Sequence, residues 1–502
     1  MKKHITIHGH FYQPPRENPW TGEVEREDSA APDHDWNERI TKECYAPNTR
    51  APVLDPKGQT KERVNNFSYL SFDIGPTLLS WLRKKNPAVY EAILDADRRS
   101  ISERGGHGNA MAQVYNHVIM PLASRRDKIT QVIWGIRDFE FHYKRKPEGM
   151  WLSETAADKE TLNVMAEHGI LFTVLAPHQA KRVRRLGFGS EWQNRRHETV
   201  DTRQAYRMVL DHGRQFHVFF YDAPLSRAIA FQGLLHNGDE LVYKLLTSFS
   251  HRQAEQLVST ATDGESFGHH HRFGEMAIAY GFKKIRDYHL AHLVNFAEFL
   301  AKAGSQSEAD IHENSSWSCA HGVERWRSDC GCHVASHEGW NQKWRAPLRD
   351  AFDFLKKIVD DVYETQAGGL LKDPWGARND YIEVMLDGSE EGREKFLARQ
   401  AGKNLNPGEE TKLWNLLEAE KFALFMFTSC GWFFDELSGI EPVQNMKFAA
   451  RAAELVQPYV PDEIEPPFLK ILADAKSNLP EMGTGADIYK KVRSWKLEVG
   501  IK

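Results

Sequence analysis

Apolar positions recur along this chain with two different periods. Short β-rich runs at 4–10, 67–73, 110–117, 149–153, 171–175, 216–221 and 256–262 alternate with helical patterns at 75–85, 88–101, 125–144, 157–167 and 239–246. Short apolar or alternating runs between turn signals predict strands, and recurrence at three and four residues predicts amphipathic helices. Strand then helix, repeated about seven times, predicts a parallel barrel or a doubly wound sheet. From residue 273 the character changes. Long helical patterns at 274–303, 340–365, 390–400, 409–427, 443–456 and 467–477 predict a mostly α-helical second unit. The expected division is therefore 1–275 and 276–502. Residues 20–66 follow neither period and carry Pro, Asn and charge, which predicts a long insertion forming a lid or rim.

Ionisable residues fall at the ends of the predicted strands. His8 and His10 end the first, Asp73 the second and His117 the third; Glu154 follows the fourth, Asp222 the sixth and Asp263 the seventh. In parallel α/β folds the loops after strand C-termini share one face, and that face holds the site. Six segments thus deliver titratable groups to one rim.

Composition narrows the function classes. A chain of 502 residues accommodates two packed units, and 41% hydrophobic with 27% charged residues describes a globular protein. The net charge of −5 has both signs interspersed, which gives no reason to expect nucleic acid or an anionic membrane as partner. No apolar run reaches the roughly 18 residues of a membrane span. "MKKHITIHGHFYQPP" lacks the apolar core of a signal peptide. The odd cysteine count (Cys44, Cys319, Cys330, Cys332 and Cys430) fits a reducing cytoplasm better than a disulfide scaffold. Fourteen Trp point weakly toward carbohydrate, because indoles stack on sugar rings as well as filling cores.

On its own, Glu154 in "EGMWLSETAAD" can be read as a nucleophile, a metal ligand or a partner of a helix N-terminus, and acidic residues near a helix start are common because they complement its dipole. Together, however, the segments resemble glycoside hydrolase family 57. "IHGHFYQPPREN", "YNHVIMPL", "GMWLSETA" and "TDGESFG" are similar to its first four regions, and "FFYDAPLSRAIAF" to a further stretch carrying Asp222. "SWSCAHGVERW" and "SCGWFFDELSG" compete for the fifth. The resemblance implies an α/β fold, a (β/α)7 barrel followed by a mostly α-helical C-terminal domain. It also implies retaining chemistry on α-1,4-linked glucan, with Glu154 as nucleophile and Asp263 as general acid/base. His8, His10, Gln13, His117, Trp151, Asp222, Phe267, Trp317, His321, Arg325 and Trp432 are the expected substrate-binding residues. Glu265 competes with Asp263 for the acid role, and motif position favours Asp263. The histidines at 269–271 are expected at the rim.

Two rival readings stay open. His8 and His10 point to the same side of a strand, as zinc ligands often do, so a metal-dependent carbohydrate deacetylase or mannosidase-like enzyme is one. It would need a His-x-x-x-His or paired-Asp signature on the barrel strands, whereas the one such His pair, His333 and His337, lies beyond them. A catalytically inactive glycan-binding protein is the other, against which both carboxylates are present. No metal and no cofactor are expected. In "CAHGVERWRSDCGCH" the Cys-x-Cys spacing is tighter than the Cys-x-x-Cys of zinc ribbons, which favours a thiol cluster or a disulfide-capable pair.

Overall fold

The computed structural model describes residues 3–187, 189–194 and 200–498. The chain divides into two compact units, one formed by residues 1–13, 26–114 and 139–317, the other by 14–25, 115–138 and 318–502.

Seven parallel strands organise the first unit: β1 (Lys3–Phe11), β2 (Ser71–Ile74), β3 (Ala112–Gln113), β4 (Met150–Trp151), β5 (Phe172–Leu175), β6 (Gln215–Phe220) and β7 (Gln256–Asp263). β1 lies between β7 and β2, with His10 opposite Asp263 on one side and Asp73 on the other. Phe72 bridges to Ala110, β3 pairs with β4, Gly149 bridges to Phe172, and β5 pairs with β6. The Asp222 N–H then donates to the Ser259 carbonyl, so the pairing returns to β7 and the ring closes. Each of these seven strands falls within or overlaps a run predicted from the pattern. β1 is buried almost along its whole length, as expected for a parallel strand covered on both faces.

Helices α1 (Pro76–Lys85), α2 (Pro87–Glu103), α3 (Arg125–Tyr143), α4 (Lys159–Glu167), α5 (Ala223–Phe231) and α6 (Gly238–Thr247) fall between ring strands. Four starts are fixed by side-chain caps: Asn86, Asp158, Asp222 and Asn237 each accept a backbone N–H of the first turn. The core inside the ring contains Trp151, Phe172, Val174, Phe219, Leu257, Ala261 and Phe296.

The first unit runs on to Trp317, past the boundary expected near 275. The single helix predicted at 274–303 is two helices, α7 (Gly274–Asp287) and α8 (Phe296–Ala303), separated by a short strand at His292–Leu293 that pairs with β1. His289 takes a left-handed conformation between them, and Asn295 caps the second. Strands at Ala180–Arg185, Ala205–Val209 and Ser305–Ile311, the last antiparallel to the first and parallel to the second, also went unpredicted. They are held partly by charge: Arg182 pairs with Asp310, and Arg184 and Arg207 with Glu308.

The second unit is helical, with α9 (Arg345–Ala367), α10 (Pro374–Asp387), α11 (Glu390–Gln400), α12 (Pro407–Phe425), α13 (Ile440–Val456), α14 (Glu465–Leu472) and α15 (Gly485–Glu498). The sequence pattern missed α10 and α15. In its interior Arg378 donates to Asp127 (2.8 Å) and Glu420 (2.9 Å), and Lys356 lies 3.3 Å from Asp127. No helix among the described residues is long and apolar enough to cross a membrane.

Candidate active site

The side chains at the C-terminal ends of the ring strands are built from β1 upward. Alternation puts His8 and His10 on one face of β1, and register puts Ser71 and Asp73 beside them. His8 engages both ring nitrogens, Nδ1 with the Ser71 hydroxyl (3.0 Å) and Nε2 with Asp73 Oδ1 (3.1 Å). Asp73 Oδ2 accepts from His10 Nδ1 at 2.7 Å. Asp73 is 0% exposed, so one buried carboxylate clamps both imidazoles. Burial disfavours charge on His10, but the Asp73 carboxylate overcomes it, with help from Asp263 and Glu265, and lifts its pKa to about 9. Burial also works against the Asp73 carboxylate, yet His10 and His8 hold its pKa below the usual range. Burial lowers the pKa of His8, the Asp73 contact offsetting this only in part.

Trp151 lies against both imidazoles, ring centroids 4.7 Å from His8 and 5.2 Å from His10, and it is itself fully buried. It presents no face to solvent, so the substrate contact expected of it from the sequence does not suit it. His8, equally enclosed, is a support of His10 and Asp73 rather than an open hydrogen-bonding group.

Three residues beyond Trp151, Glu154 has φ 56° and ψ 21°, and Thr155 follows at φ 50°. Left-handed backbone costs an L-residue roughly 1–2 kcal/mol, and a β-branched threonine there is a true outlier. The neighbours hold it in place. Gln179, wholly buried, accepts from the Thr155 hydroxyl (2.9 Å) and donates to the Thr155 carbonyl (2.9 Å) and to Ser315. The Trp317 backbone N–H donates to the Glu154 carbonyl at 3.0 Å, and its indole N–H to Glu154 Oε2 at 2.9 Å. Trp317 also meets Trp151 edge-on at 5.2 Å. Strain confined to a carboxylate-bearing turn and braced from two sides is characteristic of functional positions.

Asp263 ends β7, opposite His10. Its side chain is open to solvent, yet protein surrounds it closely enough that desolvation raises its pKa; Asp73 adds to the rise and His10 opposes it. Gly264 follows because the Phe11 ring leaves no room: a Cβ there would lie 2.3 Å from it. Glu265 is the contrast, only 6% exposed, accepting from the Tyr45 hydroxyl (2.6 Å) and the Tyr12 N–H (3.1 Å). Burial lifts its pKa to about 7 against the Tyr45 hydrogen bond. Gln13 bonds to the same Tyr45 hydroxyl. A contiguous set of contacts, Glu154 to Trp317 to Trp151 to His10, thus leads to the strand position opposite Asp263.

The remaining expected residues divide. Phe267 is buried and packs beside β1 at Gly9. Asp222 caps α5 through Leu225 N–H (3.0 Å). His269 pairs with Glu43, and His271 bonds the Ala230 carbonyl (2.8 Å). His117, His321, Arg325 and Trp432 belong to the second unit. There His117 is buried at φ 54° with Nδ1 2.6 Å from the Ser429 hydroxyl. Arg325 stacks on Phe433 (4.1 Å), and Trp432 is a core residue donating to the Arg345 carbonyl. His321 faces the thiol of Cys332. The sequence reading named Asp73 only as a strand end and passed over Tyr45 and Gln179. The register of Asp73 with His10 was a signal; Tyr45 and Gln179 gave none, since one sits in the unpatterned insertion and the other in a short turn.

The model of glycosyl hydrolase family 57 matches residues 5–312, and that of a domain of unknown function (DUF3536) matches residues 340–497. No curated protein matches the sequence. Among solved structures, the chain is similar to an exo-type maltose-forming amylase from Pyrococcus sp. ST04, with TM-score 0.69 and 18% identity over 94% of this chain and 83% of that one. A 4-alpha-glucanotransferase from Thermococcus litoralis gives TM-score 0.54 and 16% identity, covering 92% and 60%. A branching enzyme from Thermococcus kodakaraensis gives TM-score 0.54 and 11% identity, covering 98% and 94%. At these identities the likeness is one of fold.

Proposed function

We propose, from the premise that the chain belongs to glycosyl hydrolase family 57, that it cleaves and transfers α-1,4-linked glucan with retention through a glycosyl-enzyme intermediate. Glu154 is the nucleophile: its carboxylate attacks the anomeric carbon while Asp263 gives its proton to the departing glycosidic oxygen. Asp263, now a carboxylate, takes a proton from water or a sugar hydroxyl, whose oxygen attacks the same carbon and frees Glu154. Retention asks for carboxyl groups about 5 Å apart.

Two observations support the reading: Glu154 is strained and braced, and Asp263 is accessible with a raised pKa that favours the protonated form. Glu265, although its pKa is also raised, is enclosed and already accepts two hydrogen bonds, so it suits a supporting role. The His10 imidazolium is placed to steady negative charge at this rim. The metal-dependent alternative gains nothing from His8, whose two nitrogens are committed to Ser71 and Asp73. The odd number of cysteines, five, favours a cytoplasmic setting.

Incubation with maltoheptaose, followed by chain-length and linkage analysis, tests this. The expected result is redistribution to shorter and longer maltooligosaccharides or release of short ones, lost in Glu154→Gln and Asp263→Asn. Wild-type turnover in either variant, or sensitivity of wild-type turnover to removal of bound metal at the carboxylates, would overturn it.

A further inference from the structure

We propose that Cys319, His321, Cys330 and Cys332 bind one zinc ion as a closed structural site in the second unit. One ligand atom from each converges, all four within 4.8 Å of one another. The Cys319 sulfur lies 3.9 Å from that of Cys330 and 3.8 Å from that of Cys332, which is 3.7 Å from His321 Nδ1. Zinc held tetrahedrally at about 2.3 Å from sulfur and about 2.0 Å from nitrogen sets sulfur–sulfur edges of about 3.8 Å and sulfur–nitrogen edges of about 3.5 Å. A disulfide would instead demand about 2.05 Å.

Sulfurs in simple van der Waals contact would stand at a similar spacing, so two further observations decide. First, backbone N–H groups of Arg325 and His321 point at the Cys319 sulfur, and that of Ala320 at Cys332. Such donors satisfy thiolates, the form that binds metal. Second, the neighbouring Arg345 is a buried cation whose hydrogen bonds go to neutral carbonyls. Its guanidinium is fully enclosed, Nε has no hydrogen-bond partner, one terminal nitrogen donates to the Cys332 carbonyl at 2.9 Å and the other to the Phe434 carbonyl at 3.3 Å and the Phe433 carbonyl at 3.5 Å. The nearest carboxylate, Asp435, is 3.8 Å away and already accepts from the N–H groups of Val334 and Ala335. Three thiolates, one imidazole and Zn2+ carry a net charge of −1, which would join the more distant Asp435 in offsetting this guanidinium.

The tight Cys-x-Cys spacing, read from the sequence as unfavourable, is accommodated by Gly331 at φ 79°, whose left-handed turn brings both flanking sulfurs toward one point. Between residues 318 and 344 the chain forms no strand and only the short 3-10 turn Glu324–Trp326. An irregular stretch of this length has little core of its own, and a metal crosslink would supply order. His333 is not part of the set, since its Nδ1 bonds the Gly331 carbonyl at 2.9 Å. With all four positions taken by protein, the ion has no opening for water or substrate and leaves the carboxylate chemistry untouched.

The test is metal analysis of the full chain, purified with a reductant, equilibrated with zinc and desalted. One zinc per chain is expected, with stripped protein melting at lower temperature and recovering when zinc is restored. Cys330→Ser and Cys332→Ser should lose the metal, His321→Cys should keep it, and His333→Ala should be unaffected. If the serine variants do not fold, cobalt added to stripped wild type keeps the matter decidable by the absorption of tetrahedral thiolate ligation. Wild-type protein that holds no zinc, shows no such absorption, or yields a Cys319–Cys330 disulfide by mass would overturn the proposal.

Discussion

Asp73→Asn removes one charge from the centre of the rim while keeping the side chain's shape. In the native protein His10 has its pKa raised from 6.5 to about 9, chiefly by Asp73 working against burial. A raised histidine stabilises the fold fully below its unfolded pKa and loses that contribution as pH rises through the folded value. At about 1.36 kcal/mol per unit, the shift is worth about 3.4 kcal/mol below pH 6.5, about 2.5 kcal/mol at pH 7 and almost nothing above pH 10. Native stability attributable to this pair should therefore fall between pH 6.5 and 10. Asp73, with its own pKa lowered, adds a second loss as the pH falls below about 4. With asparagine at 73, burial dominates His10, which becomes neutral at pH 7 and withdraws its lowering effect from Asp263. The assay is titration of the His10 ring by NMR in both proteins, alongside denaturant unfolding at pH 7 and pH 10. Expected are a His10 pKa near 9 in the wild type and below 6.5 in the variant, and a stability gap of about 2–3 kcal/mol at pH 7 that narrows at pH 10. A native His10 titrating near 6.5, or a gap independent of pH, would refute the reasoning.

Other perturbations give equally definite outcomes. Trp317→Phe deletes the indole donor to Glu154; a hydrogen bond to a charged group is worth about 1.5–3 kcal/mol, so unfolding free energy should fall by up to about that much and kcat should fall about 10- to 100-fold, both measured on the same variant. Gln179→Ala leaves the left-handed turn without its brace and should cost about 1–3 kcal/mol in unfolding free energy, measured by denaturant titration, together with activity. Glu265, with a pKa of about 7, destabilises the fold increasingly as pH rises from 4.5 through 7. Tyr45→Phe removes a hydrogen bond that lowers this value, so stability measured across that window should decline more steeply than in the wild type. Because the Asp263 pKa is raised, the alkaline limb of kcat/KM should lie above the ordinary carboxylate range; Asp73→Asn removes the raising charge of Asp73 but also, by neutralising His10, the larger lowering one, so the limb should move higher.

The ring was legible in the sequence because its strands are buried on both faces and read as apolar runs between turn signals. The strand-end residues followed from it, including Glu154 and Asp263. What stayed hidden was held by charge or by irregular backbone. α10 buries Arg378 against Asp127 and Glu420, which breaks the apolar period that would have announced a helix. The strand Ala180–Arg185 is mostly basic and lacks an apolar period, and its partner strand supplies Asp310 to Arg182 and Glu308 to Arg184. Trp151 was readable as a residue beside the site but not as a buried one, since a tryptophan under two histidines has the same local sequence as one exposed to sugar. The unpatterned insertion hid Tyr45, whose hydroxyl reaches a residue 220 positions away.

The assignment of the two carboxylates is tested most directly by azide rescue of Glu154→Ala and Asp263→Ala on an activated α-glucoside. Azide should replace the missing nucleophile in the first and give the β-glucosyl azide. In the second it should intercept the glycosyl-enzyme and give the α-glucosyl azide. The opposite pairing of variant and anomer would reverse the roles, and no azide product from either would contradict a mechanism through Glu154 and Asp263.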